Sequence, residues 1–337
     1  MPPLASIPTM LRLRGREAPV DRPFFDWVAD HSDEETAAML GAAAGVYTFF
    51  HDPGRLSAAF VWPRTVRALL SPPPAARYLI GGWGALVESL SRRMRELGVD
   101  VRTSERADAL PEAPAIVATE LADAARLLDA ELEWPSGHTL CLDLGLSERR
   151  GDPFIVSDLD EAGWIERFTA PDPSLAPAGD ELVQAQMPIR TGESPDSAAA
   201  RLERLLDGAL DGWRDRVTWR RRQVMDGRTG ALDMPGTTWR DRPAIDRGDG
   251  VFLAGDTTAA PGMLSEVAHA SGVEAAHNAL AYAASSTSST RGESSSPATR
   301  STTAASTLRD SSRSEGVSSS AGSARSASRS AIVNPPS

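Results

Sequence analysis

Apolar and polar positions repeat with two different periods along this chain, and the switches between them divide it. From residue 24 to 70 the period is helical. FFDWVADH opens one helix, and DEETAAMLGAAAGVYTFF places acids at its start and apolar residues three and four apart. His51-Asp52-Pro53-Gly54 breaks the run, and LSAAFVWPRTVRALL predicts a further helix that Pro63 kinks or splits. SPPPAA then requires an extended linker. Residues 78–128 read as an α/β unit. RYLI predicts a short strand and GGWG a turn. ALVESLSRRMREL predicts an amphipathic helix with Leu86, Leu90, Met94 and Leu97 on one stripe, closed by Gly98. VDVRTSE and PAIVATE predict two more strands, and ELADAARLLDA a helix.

From about residue 136 to 248 the period falls to two. HTLCLDLGL, FIVSDL, WIERFTA, ELVQAQMPI and VTWRRRQV alternate as strands of an antiparallel sheet. The helix SPDSAAARLERLLDGAL interrupts them, with Ser194 or Asp196 near its N-cap. GDGVFLAGD returns to a strand-then-helix pattern, and 263–283 reads as a helix rich in small residues. The two strand–helix units, 79–128 and 249–283, are expected to meet in one sheet across the intervening stretch. Beyond 283 the pattern stops. Residues 284–337 are dominated by Ser, Thr, Ala and Arg, cannot offset their ordering entropy, and predict a disordered tail.

Composition narrows the function. The chain has 337 residues and a 41% apolar fraction, enough for a sizeable core. Its formal charge of −11 argues against nucleic acid or an anionic membrane as partner. All 35 basic residues are Arg, which removes a Schiff-base or P-loop Lys. Cys141 is the single cysteine, so no intrachain disulfide and no Cys-rich metal site is possible. This fits a reducing cytoplasm, and its apolar strand context predicts a buried, inert thiol. The five His residues show no metal-ligand spacing. There is no signal-peptide h-region at the start and no 18-residue apolar run, so no membrane span is expected.

Two stretches carry candidate chemistry. In VFLAGDTTAAPGMLSEVAHASG a strand runs into Gly255-Asp256. An Asp at a strand's carboxyl end accepts a ribose or ribityl hydroxyl, and the helix beginning near Met263 offers free N–H groups and a positive dipole end. The plainer reading is a strand-to-helix turn with Asp as a local cap. GGWGALV at 81–87 nearly fits G-x-G-x-x-G, with Glu105 where a ribose-binding acid would fall. Val87 in place of the third glycine and the shortness of RYLI count against a dinucleotide loop there.

Taken in order, these motifs resemble the flavin-dependent amine oxidase and phytoene desaturase superfamily over roughly 24–283. VFLAGD, PGMLSEVAHASG and VEAA are similar to its carboxyl-terminal signature, IGGWGALVESLSRRMRELGVDV to its Gly-Gly turn, helix and strand, and AIVATE to its strand ending in Ala-Thr. The resemblance implies an α/β fold: part of an FAD-binding three-layer domain, with an inserted α+β substrate domain. It divides the chain into 1–78 (helical part of the substrate domain), 79–128 (FAD-binding segment), 129–248 (substrate domain with antiparallel sheet), 249–283 (FAD-binding segment) and the tail 284–337. It implies FAD as cofactor, held at Gly255 and Asp256 (ribityl), at Gly262 with the Met263 and Leu264 N–H groups (flavin O2 region), at Gly82 and Trp83 (flavin and substrate cavity) and at Ala107 (adenine, where Val is more usual).

Such proteins begin with a strand, G-x-G-x-x-G and an acid that hold the ADP half. No such segment precedes residue 24, so about 100 residues of the family pattern are expected to be missing or supplied by a second chain. The small-residue face of the last helix (Ala268, Ser271, Gly272, Ala275) is then expected to lack its partner. The family's Lys near flavin N5 has no counterpart, which tilts the expectation toward hydride removal from an apolar substrate. No catalytic acid or base stands out. Two alternatives remain: a non-catalytic remnant or interaction protein without FAD, and an NAD-dependent enzyme using GGWGAL.

Overall fold

The computed structural model describes residues 6–70 and 77–292. The linker SPPPAA and residues 293–337 of the expected tail lie outside them. In chain order the helices and strands are α1 (Ile7–Leu13), α2 (Phe24–Ala29), α3 (Glu34–Ala43), α4 (Gly45–Thr48), α5 (Ala58–Leu69), α6 (Gly82–Glu96), β1 (Ala115–Val117), α7 (Leu121–Leu128), β2 (Ser136–Ser147), β3 (Ile155–Ser157), β4 (Trp164–Arg167), β5 (Asp180–Pro188), α8 (Pro195–Ala209), β6 (Val217–Ala231), β7 (Val251–Leu253) and α9 (Ser265–Gly292).

The alternating stretches pair into a five-stranded antiparallel sheet of order β3-β4-β5-β2-β6. One face carries Leu140, Leu142, Leu144, Leu146, Val183, Ala185 and Met187 and packs under α8 through Leu202 and Leu206. The cap of α8 is Ser194, whose hydroxyl accepts from the Ser197 N–H. The opposite face is polar: Cys141, Asp143, Gln184, Gln186, Arg221 and Gln223 point the other way, as strand alternation demands.

The amino-terminal helices build a second core from Phe24, Trp27, Leu40, Leu56, Val61 and Trp62. Trp27 and Trp62 meet edge to face at 5.5 Å, and Trp62 Nε1 donates to the Leu13 carbonyl of α1, a helix the sequence pattern did not announce. Pro63 neither splits α5 nor ends it. The burial of Val61 and Trp62, in the turn just before Pro63, holds the helix together.

The two strand–helix units do meet. β1 and β7 pair in parallel, Ala115 beside Val251 and Val117 beside Leu253. The parallel sheet has only these two strands among the described residues. Val117 and Leu253 pack with Ala124 of α7, and Phe252 packs under α9 with Val267 and Ala275.

Expectations for two strands, for α9 and for the start of the tail are corrected here, while α6 forms as expected. RYLI and VDVRTSE form no strands; residues 77–79 and 99–103 are irregular and exposed, because no neighbouring strand offers a ladder. The amphipathic helix α6 forms, but none of its residues is buried: Trp83, Val87, Leu90 and Met94 all face outward. The small-residue face of α9 is not left bare, since Ser271 and Ala275 are fully buried against the end of β7; Val273 and Leu280 are the exposed apolar residues of that helix. And α9 continues through 284–292, the first nine residues expected to be disordered, where the Ser285 and Ser286 hydroxyls donate to the Tyr282 carbonyl.

Candidate functional site

The strand β7 ends at a point fixed by α9. The Gly255 N–H donates to Ser271 Oγ at 3.0 Å, and that hydroxyl lies 3.1 Å from the Gly255 carbonyl, which Thr258 Oγ1 also reaches at 2.9 Å. Asp256 follows. Its carboxylate is half-buried and, among the described residues, accepts only from its own backbone N–H. Burial raises its pKa; that N–H and the charge of Arg242 partly oppose the rise. A half-buried carboxylate with no side-chain partner at the carboxyl end of a parallel strand has lone pairs free to accept from a hydroxyl donor.

The start of α9 lies against this point. Gly262 has φ +122°, and a Cβ there would sit 2.8 Å from the Glu266 Cβ, so only glycine fits. Leu264 is left-handed at φ +52°, a conformation that costs a leucine on the order of 1–2 kcal/mol. The Met263 N–H is taken by the Glu266 carboxylate at 3.1 Å, whereas the Leu264 N–H has no partner among the described residues. Gly230, at the end of β6, completes the cluster: a Cβ there would lie 3.2 Å from Leu264 Cδ2 and 3.8 Å from Asp256 Oδ2.

Two arginines behind this cluster gave no signal in the sequence. Arg242 is 1% exposed and makes a two-pronged pair with buried Asp233, both bonds 2.8 Å, while its Nη1 has no partner. Arg64 of α5 donates to the Gly262 carbonyl at 2.7 Å and lies 3.9 Å over the Phe60 ring. Burial, then the nearby charge of Arg242, lowers its pKa to about 10. Both residues meet partners distant in the chain or one of many Arg–Asp combinations, so no local spacing marks them.

The remaining candidates lie apart. Gly81 and Gly82, at φ +81° and +67°, turn the chain into α6, and the Gly81 N–H donates to Asp172 at 2.6 Å. Trp83 is 65% exposed. No hydrogen bond, ion pair or ring contact joins Gly82 or Trp83 to Gly255–Leu264 among the described residues. Ala107 is exposed in the irregular stretch before β1. Cys141 is half-buried on the polar sheet face, and burial pushes its thiol up to about 11.

Two of the hollows beside β6 bear on the site. One, of about 1100 Å³, opens beyond the carboxyl ends of β1 and β7, between Glu120, Leu121, Trp134, Asp226, Gly227 and Thr257. Glu131 and Glu133 add to its acidic lining, and Glu120 is paired with Arg228. The other, of about 290 Å³, lies on the polar sheet face under Val46 and Phe49, walled by Trp164, Phe168 and Met225. Asp143 stands in its floor, accepting from Gln184 Nε2 at 2.9 Å and Arg221 Nε at 2.8 Å. Glu166 accepts from the Trp164 indole at 3.2 Å and from the Tyr78 hydroxyl. Among the described residues no His, Cys, Asp or Glu cluster could hold a metal ion, and no helix is long and apolar enough to cross a membrane.

No family model matches the chain. No curated protein matches it in sequence. Solved structures do match in shape. An oxidoreductase from Methanosarcina mazei aligns over 80% of this chain and 72% of its own, with TM-score 0.64 and 13% identity. Cyclohexylamine oxidase from Brevibacterium oxydans aligns over 83% and 74%, with TM-score 0.57 and 12% identity. A protein from Pyrococcus furiosus aligns over 82% and 71%, with TM-score 0.55 and 15% identity. The chain thus shares its fold with these proteins, two of them oxidoreductases, and at these identities the likeness extends to the fold alone.

Proposed function

We propose that this chain is an FAD-dependent oxidoreductase, of the kind that removes hydride from a C–H bond, and that its described residues hold the riboflavin half of the cofactor. The observation that carries the reading is the unpartnered Asp256 carboxylate set against the free Leu264 N–H at the start of α9. When bound, FAD would supply the hydride-accepting chemistry. Asp256 would accept a ribityl hydroxyl, and the Leu264 N–H would donate to a flavin carbonyl. Met263 takes a lesser part than the sequence suggests, because Glu266 already accepts its N–H.

The ADP half fits this chain poorly. The hollow beyond β1 and β7 is lined by Glu120, Glu131, Glu133 and Asp226, and carboxylates repel a diphosphate. β1 has no strand on its outer edge among the described residues, and the apolar stripe of α6 is uncovered. These features support a polypeptide partner, in the same or a second chain, that completes the sheet and supplies the diphosphate contacts. They equally support the reading that the chain alone is an inactive remnant.

For the substrate, the hollow on the sheet face supports a small organic molecule. Phe49, Trp164 and Phe168 favour an apolar body, as the sequence suggests. The Asp143–Gln184–Arg221 floor and the Glu166 carboxylate favour a hydrogen-bonding group as well. Flavin fluorescence on titrating the chain with riboflavin tests the proposal: quenching that saturates and is weakened by Asp256→Ala supports it, and no quenching refutes it.

A further inference from the structure

The turn before α9 is held from a different layer of the molecule. Arg64 and Arg67 lie one turn apart on α5, nearly two hundred residues upstream of what they touch. Arg64 is itself fixed: one nitrogen donates to the Phe60 carbonyl on its own helix at 2.7 Å, the guanidinium lies over the Phe60 ring, and the other nitrogen donates to the Gly262 carbonyl. Arg67 engages both oxygens of Glu266, one at 2.6 Å. Glu266 in turn accepts from the Met263 N–H. Three consecutive residues are thereby pinned or constrained: Gly262 through its carbonyl, Met263 through its N–H, and Leu264 in the left-handed conformation that follows.

A leucine does not adopt φ +52° unaided, so the surrounding contacts must hold it. The helical layer that carries Arg64 and Arg67 has its own core and no other evident need for two arginines aimed at this turn. We infer that Arg64 and Arg67 are positioning residues: a two-arginine clamp on α5 that sets the Gly262–Leu264 turn so that the Leu264 N–H faces the ligand beside Asp256. The inference rests on the proposed flavin reading for the identity of the ligand, but not for the existence of the clamp.

The test uses the full chain and three variants: Arg64→Gln, Arg67→Glu and the conservative Arg67→Lys. Amide hydrogen exchange is read without ligand, and riboflavin affinity by flavin fluorescence. Arg64→Gln and Arg67→Glu are expected to raise exchange at 262–267 about tenfold or more while leaving Leu40, Val61 and the β2–β5 amides unchanged. Both are expected to weaken riboflavin about tenfold. Arg67→Lys keeps a cation against Glu266 and leaves that carboxylate to accept the Met263 N–H, so it is expected to keep exchange protection and affinity within a few-fold of the parent, which a merely structural loss of packing would not do. Unchanged exchange at 262–267 in Arg64→Gln, or a loss of protection in Arg67→Lys as large as in Arg67→Glu, would overturn the clamp. A parent chain that shows the exchange effects but takes up no riboflavin would overturn the flavin reading and leave the clamp standing.

Discussion

Asp256 carries a cost in the ligand-free chain. Its pKa is raised by burial, so the unfolded chain releases that proton more readily than the folded one. A raised carboxyl contributes stability below its unfolded pKa and loses it as pH rises through the folded value. Neutral pH therefore lies where Asp256 destabilises the fold. Asp256→Asn is expected to raise the ligand-free unfolding free energy at pH 7, by about 1 kcal/mol or less, and to weaken riboflavin roughly tenfold. Thermal unfolding and flavin titration of the same preparation check both signs; a variant that loses stability at pH 7 would show that the carboxylate is a structural cap instead. Cys141 gives a second expectation at this scale. With its thiol near 11, little thiolate exists at pH 8, and alkylation by iodoacetamide should run far slower than for a free peptide cysteine, accelerating as pH approaches 11. A rate equal to the peptide's would mean that the sheet face is open where the structure buries it.

At the scale of elements, the antiparallel sheet was legible because alternation alone identifies strands that bury one face, and β2 and β5 each bury one, while the edge strand β6 keeps the pattern although residues 218–224 are exposed. RYLI and VDVRTSE misled for the opposite reason: β-prone composition makes a strand only where a neighbour completes the ladder, and none does. The stripe on α6 was legible as a pattern, yet its exposure was not, since periodicity shows which face is apolar and not what covers it. Of the site, Gly255, Asp256, Gly262 and Leu264 could be read from one contiguous stretch. Arg64, Arg242 and Gly230 could not, because they reach that stretch from α5, from the segment after β6 and from β6 itself. A paired substitution separates covered from uncovered faces. Leu206→Ala, in the fully buried contact of α8 with the sheet, should cost about 2–5 kcal/mol in denaturant unfolding. Leu90→Glu on α6 should change it by less than about 0.5 kcal/mol and should improve solubility. A large loss in Leu90→Glu would mean that α6 packs against something in solution.

For the molecule as a whole, the parts are unequal. The helical core and the α8-covered sheet are complete hydrophobic units, whereas the parallel sheet has, among the described residues, two short strands with an open edge. Parallel sheets are ordinarily buried on both faces, so this is the least finished region of the fold, and it is also where a dinucleotide would lie. On the proposed reading Asp256 and the start of α9 would hold the riboflavin half, whereas the acidic hollow beside them does not suit a diphosphate. Each missing charge-assisted contact forfeits roughly 1.5–3 kcal/mol, so two or three of them weaken FAD by on the order of 10³-fold or more. The most direct measurement is a pair of titrations of the chain as given, one with riboflavin and one with FAD, followed by flavin fluorescence. Weak, saturable binding of both is expected, with dissociation constants within a few-fold of each other, since on the proposed reading the adenosine diphosphate adds no contacts. Sub-micromolar FAD binding, far tighter than riboflavin, would contradict it.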